Sequence, residues 1–302
     1  MTESRYIVFL INPVSGTANK VFLNTLIRDK CNKAGISFEC MDTRTDGNYS
    51  ELRNDIHAGK VTDVVICGGD GSINKVAAAI GNLNVTLGIV PLGSGNGLAL
   101  AAHIPMNTEA AIDLILKGGK IKKIDGFLVN GKFSCMLAGI GLDAAVAHAF
   151  ANEKKRGLIT YIKKTISGFF HCKPYPFIIE TANRKINCEA FFINIANSNQ
   201  FGNHVTIAPQ ASLNDGLLDV VVVKRSGKIK MLLSVLWQIR AGKVLTAEVQ
   251  ETKYPVQYFH ADHLKIINGG MAPLHIDGDP EATASEFDIR ILPSAFSLWV
   301  GK

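Results

Sequence analysis

The first third of the chain repeats one pattern: a short apolar run, a turn-rich loop, then a stretch whose apolar residues recur at helical spacing. This rhythm constrains the fold more than any other feature, because a helix between two strands returns the chain to the same sheet edge and makes the strands parallel. Strands are predicted at Tyr6 to Ile11, Ser37 to Met41, Val64 to Cys67 and Thr86 to Val90. Helices are predicted at Asn19 to Ala34, Tyr49 to His57, Ser72 to Ile80 and, after Pro105, Thr108 to Lys117. The result is an open α/β sheet.

The pattern changes after Gly118-Gly119. Lys122 to Val129 and Lys132 to Leu137 flank Asn130-Gly131, a two-residue hairpin signal, so antiparallel structure begins there. Further β-rich segments are Pro176 to Thr181, Ile186 to Ala196, Leu217 to Val223, His263 to Ile267 and Phe287 to Leu292, interrupted by helical stretches at Leu158 to Phe170 and Lys228 to Ile239. The second part therefore reads as a β-sandwich-like domain with a few helices, and a chain of 302 residues is long enough for two unequal domains meeting near residues 120 to 130.

Composition narrows the class of protein. With 47% apolar and 19% charged residues, the whole chain is expected to fold. The net charge of +6 favours anionic partners: a phosphate ligand, nucleic acid or an anionic bilayer. No apolar run reaches bilayer-spanning length, and Tyr6 to Ile11 lacks the flanks of a secretory signal, so a soluble cytoplasmic protein is expected. The six cysteines are scattered without metal-ligand spacing and are expected to be reduced thiols.

Three loops follow strands of the first domain: Asn12-Pro13-Val14-Ser15-Gly16, Gly68-Gly69-Asp70-Gly71-Ser72 and Gly93-Ser94-Gly95-Asn96-Gly97. All should leave the carboxyl edge of the sheet, where open α/β folds bind ligands and helix N-termini offer free N–H groups to phosphate. Neither G-x-G-x-x-G in the first loop nor G-x-x-x-x-G-K-S/T anywhere is present, which weighs against a hydride-transferring Rossmann enzyme and a P-loop ATPase. Asp70 is the most informative residue. A carboxylate at a phosphate site repels the ligand unless a divalent cation intervenes, so magnesium is implied; alternatively Asp70 caps the following helix. Asn96 could likewise only shape its turn.

Gly68-Gly69-Asp70-Gly71-Ser72-Ile73-Asn74 resembles the G-G-D-G-T-x-N signature of the diacylglycerol kinase catalytic domain family, which includes bacterial lipid kinases and sphingosine kinases; its first four residues are shared with NAD kinases. Asn12 to Gly16 is similar to the N-P-x-S-G loop that opens that domain, and Pro91-Leu92-Gly93-Ser94-Gly95-Asn96 to its third nucleotide loop. The likeness continues through Ala138-Gly139-Ile140-Gly141-Leu142-Asp143, Asn214-Asp215-Gly216-Leu217-Leu218-Asp219 and Asp277-Gly278-Asp279-Pro280. It implies an NAD-kinase-like α/β domain over residues 1–125, a β-sandwich over 126–293, and a final strand within 294–302, at Phe296 to Val300, returning to the first domain.

The resemblance also implies site residues. Asn12, Pro13, Ser15, Gly16, Thr43, Gly68, Gly69, Asp70, Gly71, Ser72, Asn74, Ser94 and Asn96 would line ATP, with Asp70 near Mg2+ and the transferring phosphate. Asp279 would be the base for the acceptor hydroxyl, Asp143 would contact the lipid head, and Asp215 with the carbonyls of Ser212 and Leu217 would form a structural magnesium site. Four positions depart from the family pattern. Ser72 stands for threonine, Lys75 for glutamate, Gly97 for the aspartate of bacterial diacylglycerol kinases, and Asp279 for glutamate, which shortens the base by one methylene.

The activity so implied is ATP-dependent phosphorylation of a hydroxyl on a diacylglycerol-like or sphingoid-like lipid, at a cleft between the domains, by a cytoplasmic protein in transient contact with a membrane. Lys154, Lys155, Arg156, Lys163, Lys164 and Lys173 interleave with apolar residues between Glu153 and Lys173, a pattern that suits either an anionic bilayer or an ordinary surface helix. Nucleic-acid binding is not expected, since no motif or aromatic platform supports it. Two other functions stay open: an NAD-kinase-like enzyme with a soluble acceptor, and a non-catalytic lipid or nucleotide binder.

Overall fold

The computed structural model describes residues 5–14, 20–151, 168, 172–200, 206, 208–225 and 256–302. The helical stretches expected at 158–170 and 228–239 therefore lie outside the described residues, Gly168 apart, as does most of the basic segment at 153–173. The chain divides into two compact units, residues 1–125 with 293–302 and residues 126–292.

Unit 1 alternates strand and helix: β1 (Tyr6–Ile11), α1 (Lys20–Ala34), β2 (Ser37–Asp42), α2 (Ser50–His57), β3 (Asp63–Gly68), α3 (Asp70–Ile80), β4 (Thr86–Pro91), α4 (Gly97–Ala101) and α5 (Thr108–Leu116). All strand pairs are parallel, in the order β2-β1-β3-β4. The end of the last strand, β15 (Glu286–Val300), joins β4 in parallel through Ser297 opposite Thr86 and Leu298 opposite Leu87. Every residue of β3 is buried, as expected of a parallel strand covered on both faces. Helix α1 buries Leu23, Ile27 and Cys31, one per turn, and α5 is capped by Asn107, whose Oδ1 accepts the Ala110 N–H at 3.0 Å.

One buried charge cluster locks this unit. Asp63, 2% exposed at the start of β3, accepts two hydrogen bonds from Arg5 (3.1 and 3.0 Å), one from the Thr62 hydroxyl (2.7 Å) and one from the Trp299 indole (2.7 Å). Arg5 also donates to the carbonyl of Ile115 at 3.0 Å and stacks 5.0 Å from the Trp299 ring. A carboxylate is tolerated there because its lone pairs are filled and its charge is matched.

Unit 2 is antiparallel. It comprises the end of β5 (Lys120–Val129), β6 (Lys132–Ser134), β7 (Leu137–Gly141), α6 (Leu142–Ala151), β8 (Tyr175–Thr181), β9 (Arg184–Ala196), β10 (Leu218–Lys224), β11 (Val256–Ala261), β12 (His263–Asn268), β13 (Leu274–Ile276), β14 (Asp279–Glu281) and the first half of β15. The strand path is β14-β13-β7-β9-β8-β12-β15, and β9 also carries β10, which pairs with β11. Phe127, Ile140, Phe177, Ile193, Leu264 and Phe287 are at the heart of its core.

The hairpin at Asn130-Gly131 forms with both residues at positive φ (48° and 82°) and Val129 opposite Lys132. The strand expected over Lys132 to Leu137 is broken after Ser134. There Asp277 accepts the Ser134 hydroxyl at 2.8 Å and the backbone N–H groups of Cys135, Met136 and Leu137 at 3.3, 3.2 and 2.9 Å, so these donors are lost to any ladder. Strands β7, β11, β13 and β14 and helices α4 and α6 were not anticipated from the sequence.

Asp219 on β10 is fully buried, accepts the Tyr258 hydroxyl on Oδ1, and lies 3.3 Å from His260 Nε2; its Oδ2 is buried with no hydrogen-bond partner among the described residues. Burial, and then the nearby Asp215 charge, push its carboxyl up to about 7.

Two outcomes are expected. Replacing Asp63 by Ala strands the Arg5 guanidinium and the Trp299 N–H, and should lower the unfolding free energy by about 3–5 kcal/mol in denaturant titration, with Trp299→Phe costing about 1–2 kcal/mol. For Asp219 the native state holds its proton more tightly than the unfolded chain, so its contribution to stability falls as pH rises from about 4 to about 7. Denaturation midpoints across that window should show a smaller decline in Asp219→Asn than in the parent protein.

Candidate active site

Strands β1, β3 and β4 are neighbours, so the loops leaving their carboxyl ends share one rim of unit 1. The chain passes from β1 outward to β2 and then back to β3 on the other side of β1. This reversal is the position where parallel α/β sheets open a crevice for ligands.

Asn12, first residue after β1, is held on three sides. Its backbone N–H donates to the Cys67 carbonyl at 3.0 Å, its Nδ2 donates to Ser72 Oγ at 2.7 Å, and its Oδ1 accepts the Val14 N–H at 2.8 Å. Lys20 Nζ reaches the Asn12 carbonyl. Pro13 and Val14 form the turn, with Val14 86% exposed, while Ser15 and Gly16 lie outside the described residues. Thr43 follows β2 and donates its N–H to the Ile11 carbonyl at 2.9 Å.

The second and third loops touch through glycine. A Cβ built on Gly93 would lie 2.6 Å from the Gly69 Cα and 2.8 Å from Asn96 Oδ1, and one on Gly69 would lie 3.1 Å from the Gly93 Cα. Two backbones therefore pass at a distance no side chain permits. Asn96, at φ 50° and ψ 42°, closes the third loop on itself: Oδ1 accepts the Gly93 N–H and Nδ2 donates to the Gly93 carbonyl, both at 2.9 Å. Gly71 and Asn74 lie on α3 with Ser72, Ser94 is exposed at the tip of the third loop, and Lys75 points to solvent.

Asp70 opens α3 but caps α4. Its Oδ2 accepts the Gly97 N–H at 3.0 Å and its Oδ1 the Leu98 N–H at 3.3 Å, so one carboxylate ties the second loop to the helix after the third. Burial raises its carboxyl above the ordinary range, and the N–H donors of the α4 end pull it partly back. Among the described residues the ionised group is thus a partly buried carboxylate answered by backbone dipoles, which suits a divalent cation. The aspartate-to-glycine departure at Gly97 falls on the residue whose N–H binds Asp70.

In unit 2 the D-G-D-P segment is a hairpin. Asp277 (φ 50°) and Gly278 (φ 86°) turn the chain between Ile276 and Asp279, which face each other across β13 and β14. The two aspartates have different surroundings: Asp277 is consumed by the donors of residues 134–137, whereas Asp279 is exposed on β14. Asp143 lies in the first turn of α6. Its Oδ1 accepts the Ala144 N–H at 2.8 Å, and its Oδ2 lies 3.4 Å from Asn194 Nδ2 and 3.5 Å from His275 Nε2. Asp215 sits in an exposed turn with Gly216 at φ 74°, its Oδ1 accepting the Leu217 N–H at 3.1 Å; Ser212 Oγ reaches Asn214 Oδ1 at 3.4 Å. One carboxylate and backbone carbonyls are what this turn offers a cation. Among the described residues no group of three or more His, Cys, Asp or Glu is arranged to hold a metal.

The fold thus gathers Asn12, Gly68, Gly69, Asp70, Ser72 and Asn96 at one rim. Sequence reasoning missed Asn194 and His275, which come from β9 and β13 and meet Asp143 only in three dimensions. The sole available signal was the position of His275, two residues before Asp277.

Known proteins resemble this chain over nearly its whole length. The model of the diacylglycerol kinase catalytic domain matches residues 6–129, and that of the YegS C-terminal NAD kinase beta sandwich-like domain matches residues 137–300. A protein named "Probable lipid kinase YegS-like" from Xanthomonas oryzae pv. oryzae is 26% identical over 275 residues, covering 87% of this chain and 86% of its own. The diacylglycerol kinase of Bacillus subtilis is 24% identical over 277 residues, covering 89% and 88%. The crystal structure of a diacylglycerol kinase from Bacillus anthracis superimposes with a TM-score of 0.74 at 20% identity, covering 100% of this chain and 98% of that one. With both domain models matched in order along an NAD-kinase-like α/β unit and a β-sandwich-like unit, the chain belongs to the diacylglycerol kinase family of lipid kinases.

Proposed function

We propose that this protein transfers the γ-phosphate of ATP to a hydroxyl of a membrane lipid, diacylglycerol-like or sphingoid-like. The observation that carries this is the rim of unit 1, where Gly69 and Gly93 meet backbone to backbone beside Asn12, Ser72 and Asp70. Phosphoryl transfer asks a protein for positioning and charge neutralisation more than for covalent chemistry; the rim would position the nucleotide, and a cation at Asp70 would supply the neutralisation. Backbone N–H groups at the N-terminus of α3 suit phosphate oxygens, whereas those of Gly97 and Leu98 at the start of α4 are taken by Asp70.

Magnesium, when bound, would neutralise charge on the phosphate, and Asp70 is the residue that would hold it. Asp70 also fixes the start of α4, so the third loop and the metal position depend on one side chain. In unit 2, Asp279 would take the acceptor proton. Its exposure leaves the carboxylate hydrated, and its short side chain reaches the hydroxyl by close approach or through one water. Asp143 would bind the acceptor head. Transient contact with a membrane follows from a lipid acceptor; among the described residues no helix is long and apolar enough to cross one.

The deciding experiment offers magnesium and labelled ATP with a total lipid extract, sphingoid bases and NAD in parallel. Label is expected in the organic phase; label only in NADP, or none, overturns the proposal. Asp70→Asn keeps one amide oxygen for the α4 N–H groups but loses the charge. It should reduce turnover by about 100-fold or more while costing about 1 kcal/mol of stability through the weakened cap, read by labelled-ATP assay and denaturation side by side.

A further inference from the structure

Three adjacent strands of unit 2 carry an unusual row. His275 on β13 faces Gly139 on β7, and Gly139 faces Asn194 on β9, so an imidazole and an amide flank a residue with no side chain. His275 and Asn194 are fully buried. Asp143 enters the space above Gly139: a Cβ there would lie 2.0 Å from Asp143 Oδ2 and 2.4 Å from His275 Nε2. Helix α6, which carries Asp143, is pinned from below by His148, whose ring Nε2 lies 2.8 Å from the Leu274 carbonyl on β13.

The hydrogen bonds assign the protons. The Gly278 N–H donates to His275 Nδ1 at 3.2 Å, so the neutral ring carries its proton on Nε2, the nitrogen 3.5 Å from Asp143 Oδ2. Asn194 must turn its Nδ2 toward that same carboxylate oxygen, which leaves its Oδ1 buried with no hydrogen-bond partner among the described residues. A buried amide oxygen without a donor is costly, and the Asp143 carboxylate beside it retains 10% exposure. Asn194 Oδ1 thus has an open acceptor position among the described residues, beside an Asp143 carboxylate that is still in part exposed.

We infer that His275 is a positioning residue that holds Asp143 over Gly139, so that Asp143 and Asn194 Oδ1 together accept from a donor-bearing acceptor head, a hydroxyl or an ammonium. The inference rests on the lipid-kinase proposal and extends it to the class of head group. It also makes His275 a link between Asp143 and the Asp277-Gly278 hairpin that carries Asp279, since one ring accepts the Gly278 N–H and lies 3.5 Å from Asp143 Oδ2.

Two variants separate positioning from simple support. A Gln amide nitrogen reaches where Nε2 of His sits, whereas an Asn side chain reaches only the place of Nδ1. His275→Gln therefore keeps a donor toward Asp143, and His275→Asn keeps only the acceptor for the Gly278 N–H. With sphingosine or diacylglycerol in phosphatidylcholine vesicles, His275→Asn should raise the acceptor KM by about 10-fold, the equivalent of about 1.4 kcal/mol, and leave the KM for ATP within about twofold. His275→Gln should restore most of the loss. Equal behaviour of the two variants, or an equal rise in the KM for ATP, overturns the inference.

A second measurement does not depend on turnover. In full-length protein labelled with 15N-histidine, His275 should show a protonated Nε2 and an unprotonated Nδ1, and Asp143→Asn should move the Nε2 resonance. A proton on Nδ1, or a resonance indifferent to Asp143→Asn, ends the assignment even if lipid is phosphorylated. Failure of every lipid to take label while the ring resonances behave as expected would sink the kinase proposal and the head-group role with it, leaving the Asp143–His275 contact intact.

Discussion

Two glycines set the geometry on which the candidate site depends. Gly69 and Gly93 bring the loops after β3 and β4 so close that a methyl group on Gly93 would overlap the Gly69 Cα. Once the backbones are in contact, Asp70 is within reach of the first two N–H groups of α4, and Asn96 can close its loop at a left-handed φ. A larger residue at either glycine would part the loops and leave a partly buried carboxylate without its donors. Packing, capping and charge at this rim therefore share a single steric condition.

Buried polar groups recur in this protein as organisers rather than as isolated costs. Asp63 gathers Arg5, Thr62 and Trp299, and so joins residues near both ends of the sequence within unit 1. Asp277 gathers four donors from residues 134–137 and dictates where β6 stops and β7 begins. In each case the carboxylate is fully supplied with hydrogen bonds, which is the condition for burying it. Asp70 and Asp143 differ: each accepts fewer hydrogen bonds than a carboxylate can, and each lies in a segment shared with lipid kinases.

Elements whose burial is set by the local pattern were legible from the chain. Strands β1, β3 and β4 read correctly to within a residue because both faces are covered and the runs are continuous and apolar. The hairpin at Asn130-Gly131 was legible because positive φ at both central residues selects that dipeptide. Strands β13 and β14, three residues each, are too short to show alternation. Helix α6 reads Leu-Asp-Ala-Ala-Val-Ala-His-Ala-Phe-Ala and has too few polar residues to mark a solvent face, so its period is hidden.

By itself the sequence determined the parallel α/β order of unit 1, the switch to antiparallel structure, and the three loops that follow β1, β3 and β4, because each follows from spacing along the chain. Tertiary structure alone decided the surroundings of each carboxylate. Asp277 and Asp279 are two residues apart in one motif, yet one is consumed by a turn 140 residues upstream and the other is exposed. Asp143, Asn194 and His275 meet over Gly139 only because β13, β7 and β9 pair in one register. The physical reason is that hydrogen-bond partners and burial, which set the state of a side chain, come from strands far away in sequence.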